Sequence, residues 1–329
     1  MLIFVLLQQL SITYDQVHNE QAYLYAQMSF GPSIPEGHMQ SYSSPLKEST
    51  FYTIGILLLV FCCYSWSAAT AQPINNKTVF LAKLTGKVVF QRPDGIYLMK
   101  VGEESQQRLV EYGTNPRWSP NGKQIAFIHD NAIMLITVKN GKIRHLATAG
   151  KATALCFNPD GRAVVFTDNN LLRRVDIRNK KVRTVLKGDQ FYEIDMAKDG
   201  RRLAATVKTL TGFKVRIFDL KTGSEQTVSK GCSASLSPDG SRVTVNGPKH
   251  RTLHFYRWQD LKRTGEIHAP VGRHFDNQFW SNNPQWLTST TEGKRNDIFL
   301  HHVASDTSYQ LTTSGDCDRA DLYVQKIVP

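Results

Sequence analysis

From Lys87 onward, short apolar runs alternate with polar turn clusters, and the runs return in register. Gln124-Ile125-Ala126-Phe127, Ala163-Val164-Val165-Phe166, Leu203-Ala204-Ala205-Thr206 and Val243-Thr244-Val245 each follow one turn signature. The four turns are Ser119-Pro120-Asn121-Gly122, Asn158-Pro159-Asp160-Gly161, Ala197-Lys198-Asp199-Gly200 and Ser237-Pro238-Asp239-Gly240, with their glycines 39, 39 and 40 residues apart. A fifth, degraded copy, Ser281-Asn282-Asn283-Pro284, ends 44 residues after Gly240. A second run precedes each turn, in Arg117-Trp118, Leu155-Cys156-Phe157, Ile194-Asp195-Met196 and Ser235-Leu236. Runs this short, bounded by Pro, Asn, Asp and Gly, are strands. Each repeat therefore opens as a hairpin, and a period near 40 residues marks a repeat architecture.

The turn has a physical logic. Proline sets φ for the second position of a type I turn, Asp or Asn folds back on the local backbone, and Gly takes the left-handed conformation that ends the loop. A third strand follows in six copies: Ile96 to Val101, Ile133 to Val138, Leu172 to Ile177, Val215 to Leu220, Leu253 to Trp258 and Ile298 to Val303. A short fourth strand closes most repeats, as in Lys142 to Leu146, Lys181 to Leu186, Gln226 to Val228 and Tyr309 to Thr312. Four antiparallel strands repeated radially make a β-propeller. The expected fold is all-β: a six-bladed β-propeller of four-stranded antiparallel blades occupying residues 72–329.

The two chain ends are expected to close the ring. Leu146 to Phe157 spans 11 residues, and so does Leu311 to Leu322, which puts Arg319 to Val324 where another first strand would fall. Lys87 to Phe90 aligns with second strands, so the tail can supply the innermost strand of blade one. Thr78 to Leu84 competes for that place, or joins the last blade as its outer strand. Either pairing removes an open sheet edge.

Ahead of the repeats lies Phe51 to Tyr64, 14 mostly apolar residues without charge, followed by Ala69-Thr70-Ala71. An apolar core of that length before a small-x-small site reads as a secretory signal peptide at 51–71, with an uncleaved signal-anchor as the alternative. Residues 1–50 are then an N-terminal extension, disordered or not translated, with Met39 as the expected start. The address is periplasmic or secreted, or membrane-anchored if the segment is retained.

Trp118-Ser119-Pro120-Asn121-Gly122-Lys123-Gln124-Ile125-Ala126-Phe127 resembles the repeat of TolB-type, WD-like propellers, as does Asp297-Ile298-Phe299-Leu300 with Tyr309-Gln310-Leu311-Thr312. The resemblance covers about residues 78–325 and implies the propeller fold. TolB places an α/β domain before its propeller, so the likeness is to the propeller alone. The family's role as a periplasmic partner of the Tol–Pal envelope system belongs to the full-length protein.

Charge narrows the partner. The chain carries 40 Lys and Arg against 28 Asp and Glu, a net charge of +12. That balance favours an envelope protein or anionic polysaccharide, while export and the lack of any nucleic-acid-binding motif argue against nucleic acid. A monomer is expected. Cys156, Cys232 and Cys317 read as buried free thiols or at most one bridge, with Cys156 and Cys232 on first strands. No Cys-x-x-Cys occurs, His250 and His254 run from a loop into a strand, and the adjacent His301 and His302 face opposite sides. No metal or other cofactor is expected, and no nucleophile elbow is present.

The most site-like residues fall on loops between second and third strands, which share one face. Arg92, His129, Asp130 and Asp168 belong to blades one to three, and Lys249, His250, Arg251, Lys294 and Arg295 to blades five and six. Loops on a rigid scaffold favour binding sites, although Asp and Asn there also satisfy turns. The expectation is a non-enzymatic binding or scaffold propeller of the cell envelope, contacting a protein or anionic polymer through this face. The alternative is an extracellular carbohydrate-active enzyme, a lyase or hydrolase, with its site in the channel.

Overall fold

The computed structural model describes residues 81, 84–188, 190–292 and 295–325. The expected N-terminal extension and signal peptide, residues 1–71, and the candidate Lys294 lie outside these residues. Strands β1 (Gly86–Arg92), β2 (Gly95–Lys100) and β3 (Gln106–Val110) begin blade one. Blade two follows with β4 (Thr114–Trp118), β5 (Gln124–His129), β6 (Ala132–Thr137) and β7 (Lys142–Thr148). Blade three is β8 (Leu155–Phe157), β9 (Ala163–Asp168), β10 (Leu171–Asp176) and β11 (Val182–Lys187). Blade four is β12 (Gln190–Met196), β13 (Arg202–Thr209), β14 (Gly212–Asp219) and β15 (Ser224–Lys230). Blade five is β16 (Ser235–Leu236), β17 (Arg242–Asn246), β18 (Thr252–Arg257) and β19 (Arg263–His268). Blade six is β20 (His274–Trp280), β21 (Trp286–Glu292), β22 (Asp297–His302) and β23 (Thr307–Gln310), and β24 (Asp318–Val324) returns to pair with β1. Six four-stranded antiparallel sheets make a six-bladed β-propeller.

Every repeat turn closes as its chemistry requires. The N–H groups of Gly122, Gly161, Gly200 and Gly240 donate to the carbonyls of Ser119, Asn158, Ala197 and Ser237 at 2.7–3.0 Å. The Asn121, Asp160, Asp199 and Asp239 carboxamide or carboxylate oxygens accept the N–H two residues on, at 2.9–3.0 Å. All four glycines have φ between +65° and +68°.

The core explains why most second strands read as nearly continuous apolar runs. One apolar cluster lies at each of the six contacts between neighbouring blades. Successive side chains point to opposite sheet faces. On β5, Ile125 and Phe127 therefore pack toward blade one, and Ala126 and Ile128 toward blade three. Both faces of the second strands are buried and most of their positions are apolar, although β21 fills most of its buried positions with Thr and Ser. Third strands such as β10 and β18 bury only some of their positions.

The ring closes through the tail. β24 is the innermost strand of blade one, pairing Leu322 with Val88 and Asp321 with Val89. Of the competing segment Thr78 to Leu84, Leu81 and Leu84 are among the described residues; Leu81 belongs to the apolar cluster between blades six and one, and Leu84 packs against it. The degraded turn of blade six locks the tail: Asn282 Oδ1 accepts from Val324 N–H at 2.7 Å, and Asn282 Nδ2 donates to Val324 O at 2.9 Å. A fourth strand is present in all six blades, including β3 and β19, which lack a clear sequence signature. Cys232 sits three residues before β16 rather than on a first strand, because that strand shrinks to two residues. It is half-buried, while Cys156 and Cys317 are buried, and all three thiols are free.

Candidate functional site

One position per blade faces the axial channel. Arg117, Cys156, Asp195, Ser235, Phe279 and Asp321 occupy the same place on the six innermost strands, opposite Ala126, Val165, Ala204, Thr244, Thr288 and Val89. The Arg117 guanidinium lies 3.3 Å from Asp195 and 3.4 Å from Asp321, and its flat face is 3.9 Å from the Phe279 ring centre. Asp195 also accepts from Ser235 Oγ at 2.7 Å and from the N–H groups of Met196 and Leu236. Asp321 accepts the Trp118 N–H at 2.7 Å.

Burial sets the electrostatics of this ring. It works against the Arg117 charge, and the two carboxylates more than restore it, so its pKa lies above the usual value. Desolvation pushes Asp321 up to about 6 against the pull of Arg117. Burial also raises the Cys156 thiol, which therefore stays protonated and unreactive.

Next along each strand, toward the repeat turns, come Trp118, Phe157, Met196, Leu236, Trp280 and Leu322. With Pro120, Pro159, Pro238, Lys198 and Asn282 from the turns, they enclose a cavity of ≈ 120 Å³ over the Arg117 ring. Three buried donors at this mouth have no hydrogen-bond partner: Arg117 Nη1, Trp118 Nε1 and Trp280 Nε1.

The other channel end is acidic. Bulges break the innermost strands between Thr114 and Arg117 and between Asp276 and Phe279, and Asn115, Ser233, Asn277 and Arg319 all have φ between +46° and +58°. Ser233 Oγ donates to Asp276 at 3.3 Å, and Asn277 Nδ2 bridges Asp276 and Asp318 at 2.9 and 3.0 Å. Ser233 N–H donates to Glu193 at 2.7 Å. Burial, with Glu292, Glu193 and Asp318 nearby, pushes Asp276 up to about 7.

The loop face divides the sequence-derived candidates. Asp130 and Asn131 form a two-residue hairpin with φ of +48° and +63°. His129 packs on Tyr112 with ring centres 4.2 Å apart. Asp168 is buried, accepting Gly150 N–H at 2.7 Å and pairing with Arg173 at 2.9 Å. These three complete local structure.

Blades five and six differ: their second-to-third connections are longer, at 247–251 and 293–296, against two residues in blades one to four. A 3₁₀ turn at Pro248–His250 holds Lys249 and His250 at φ +55° and +54°, with Lys249 and Arg251 exposed. His250 Nε2 lies 3.5 Å from Cys232 Sγ, but desolvation pushes that thiol up to about 11, away from the thiolate.

Hydrogen bonds link these loops into one rim. Ala269 N–H donates to Arg251 O at 2.9 Å, and Arg273 Nη1 to Arg295 O at 2.5 Å. Asn296 N–H then donates to Gly315 O at 3.2 Å, and Arg92 pairs with Asp316 at 2.7 Å. The structure thus brings Arg92, Arg251 and Arg295 onto one rim and leaves His129, Asp130 and Asp168 across the ring.

Residue-by-residue reading missed the Arg117, Asp195 and Asp321 ring. A signal existed: they precede the turns at a position where other repeats carry Cys156, Ser235 or Phe279, on strands that are otherwise apolar.

No family model and no curated protein matches the sequence. Solved structures do match. TolB from Acinetobacter baumannii aligns with a TM-score of 0.60 at 17% identity, over 72% of this chain and 66% of that one, so the chain spans just under two thirds of that protein. A chain of a nidogen/laminin complex aligns at 0.62 and 9% identity, over 72% and 98% of the two chains. A putative TolB from Agrobacterium tumefaciens aligns at 0.57 and 12%, over 74% and 100%. At such identities the likeness is one of fold, and the fold of this chain is a TolB-like six-bladed β-propeller.

Proposed function

We propose that the protein is an exported, non-enzymatic binding propeller of the cell envelope, holding a protein or anionic polymer against the loop face of blades five, six and one. The hydrogen-bonded rim carries this reading. Its two connections exceed the minimal hairpin, and they display Lys249, Arg251 and Arg295, all exposed. Longer loops on a rigid scaffold are where binding residues collect. One structural neighbour comes from a nidogen/laminin complex, which is consistent with a propeller acting as a protein partner. Among the described residues no helix is long and apolar enough to cross a membrane.

The carbohydrate-active alternative would place acid–base chemistry on the channel carboxylates. Asp195 is already engaged by Arg117, a hydroxyl and two backbone donors, and Asp321 by Arg117 and a backbone donor. Held this way, Asp195 and Asp321 serve the ring; the alternative would have to use Asp276 at the other channel end, pushed up to about 7 by burial and its neighbouring carboxylates.

Replacing Lys249, Arg251 and Arg295 together with Ser should weaken retention on an anionic envelope polymer about tenfold, since exposed ion pairs contribute a few tenths to 1 kcal/mol each. The melting temperature should stay within about 2 °C, as surface changes rarely exceed ±0.5 kcal/mol. Unchanged retention in a column or pull-down assay discards this face.

A further inference from the structure

Four of the five large apolar side chains exposed among the described residues gather on the loop face. Tyr112 follows β3, Leu210 and Phe213 belong to the β13–β14 hairpin, and Val271 follows β19, while the fifth, Val182, stands at the turn face. Leu210 and Val271 are wholly exposed, at 108% and 104%. A single exposed leucine needs no explanation. Here, however, the hairpin that carries it also projects. β5, β9 and β13 each begin two residues after a repeat-turn glycine, but β13 runs eight residues against six, which lifts its tip about 7 Å beyond those of blades two and three.

At that tip, Leu210-Thr211 stands where blades two and three carry Asp130-Asn131 and Asn169-Asn170. Thr209 Oγ1 donates to Gly212 O at 2.8 Å, so the turn closes without help from Leu210. Just below it, Phe213 lies edge-on to Tyr192, with ring centres 5.0 Å apart.

The same side of the ring is basic. Segments 207–214, 228–234, 247–251 and 269–274 hold Lys208, Lys214, Lys230, Lys249, Arg251 and Arg273 and no Asp or Glu. Lys208 stands across from Phe213 and Lys214 across from Lys230, so cations flank both faces of the hairpin. The matching connections of blades one to three carry Asp94, Glu111 and Asp130. Glu193, Asp276 and Asp318, on the innermost strands, are buried or half-buried, whereas Lys208, Leu210 and Lys249 are exposed.

An anionic polymer accounts for the cations and leaves Leu210 and Val271 without a role. A protein partner would be met by one contiguous apolar patch, but these tips belong to different blades with Lys249 and Arg251 on the blade between them. A lipid interface accepts both features. Acyl chains are fluid, so separate apolar tips enter without shape complementarity, and headgroup phosphates attract the cations around them.

We propose that the loop face of blades four to six docks on an anionic lipid bilayer, with Leu210, Phe213 and Val271 entering the headgroup boundary. The surrounding lysines and arginines pair with lipid phosphates. This contact goes beyond the loop-face reading above and does not rest on it, although both use Lys249 and Arg251.

The test mixes the full chain with vesicles of equal parts phosphatidylglycerol and phosphatidylcholine and, separately, of phosphatidylcholine alone. Binding should be at least about tenfold stronger to the anionic vesicles, because several basic residues act together. Leu210→Ser combined with Val271→Ser should weaken it about tenfold or more, the share of two aliphatic side chains. Both side chains are wholly exposed, so the melting temperature should not change. With brominated acyl chains, Leu210→Trp should be quenched beyond wild type, while Val182→Trp at the opposite face should not. That comparison holds whichever other segment touches lipid, residues 51–71 included. On the anionic polymer that tests the loop-face reading, the double Ser variant should be retained like wild type, so the two readings fail separately. Equal binding to neutral vesicles, an unaffected double Ser variant, or equal quenching at positions 210 and 182 would overturn the proposal and leave the face to a protein or polymer partner.

Discussion

Gly122 meets two demands at once. Its φ of +65° favours glycine, and a Cβ there would lie 2.3 Å from the Tyr323 ring. Gly141 shares the first demand, with φ +67°, but nothing lies within 4 Å of its Cβ position. Gly141→Ala should therefore cost about 1 kcal/mol, the backbone effect alone. Gly122→Ala should cost about 2–4 kcal/mol, because overpacking adds to it. Denaturant melts of the two variants measure the difference, and equal costs would remove Tyr323 from the argument. The glycine's conformation was legible in the sequence because Pro-Asn-Gly encodes its own turn. Its contact with Tyr323, 201 residues away, depends on ring closure and has no local signature. The same holds for Arg117, whose partners Asp195 and Asp321 come from other blades.

At the scale of elements, β24 carries the heaviest single role, because it joins the last residues of the chain to the first blade. The sequence revealed it through spacing: Arg319 to Val324 falls one repeat period on, where an inner strand belongs. The outer strands β3 and β19 were not legible, since they face solvent on much of both sides and bury little to leave an apolar imprint. Second strands, buried on both faces, left the strongest one. The degraded turn of blade six also gains a meaning that its pattern hid. Asn282 lost the proline found in three other turns and clamps the Val324 backbone with both amide atoms. Asn282→Ala should destabilise by about 1–3 kcal/mol, through two lost hydrogen bonds at a half-buried closure. Asp160→Ala removes a turn-capping bond in blade three, away from the closure, and should cost about 1 kcal/mol. Hydrogen exchange should show faster opening of β24 only in the Asn282 variant, and equal protection of β24 in both would deny the clamp.

The whole molecule sets a basic exterior against a channel rich in carboxylates, and that contrast has a consequence for stability. Glu193, Asp276, Glu292 and Asp318 crowd the loop-face end, with Arg319 opposing them. Asp276 titrates near 7 in the fold, against about 3.9 for an unfolded aspartate. Between those values the folded state binds the extra proton, so stability falls as pH rises. The full contribution of Asp276 is present below pH 4 and is lost by about pH 7. His301 runs the other way: buried between Ser289 and Ser308, it is pushed down to about 3, so its contribution grows as pH rises from 3 toward 6.5. The raw pH profile therefore mixes opposing terms, and a variant difference isolates the channel. Asn at 276 keeps an acceptor for Ser233 and never ionises. Asp276→Asn should match the wild type in melting temperature near pH 4 and exceed it by a margin that grows up to about pH 7 and then levels off. A constant offset across that range, or a deficit at pH 8, would mean that the carboxylate is not strained by its neighbours. The growing gap is also what distinguishes an acidic channel crowded by its own fold from a scattered surface charge, whose removal would shift the melt little at any pH.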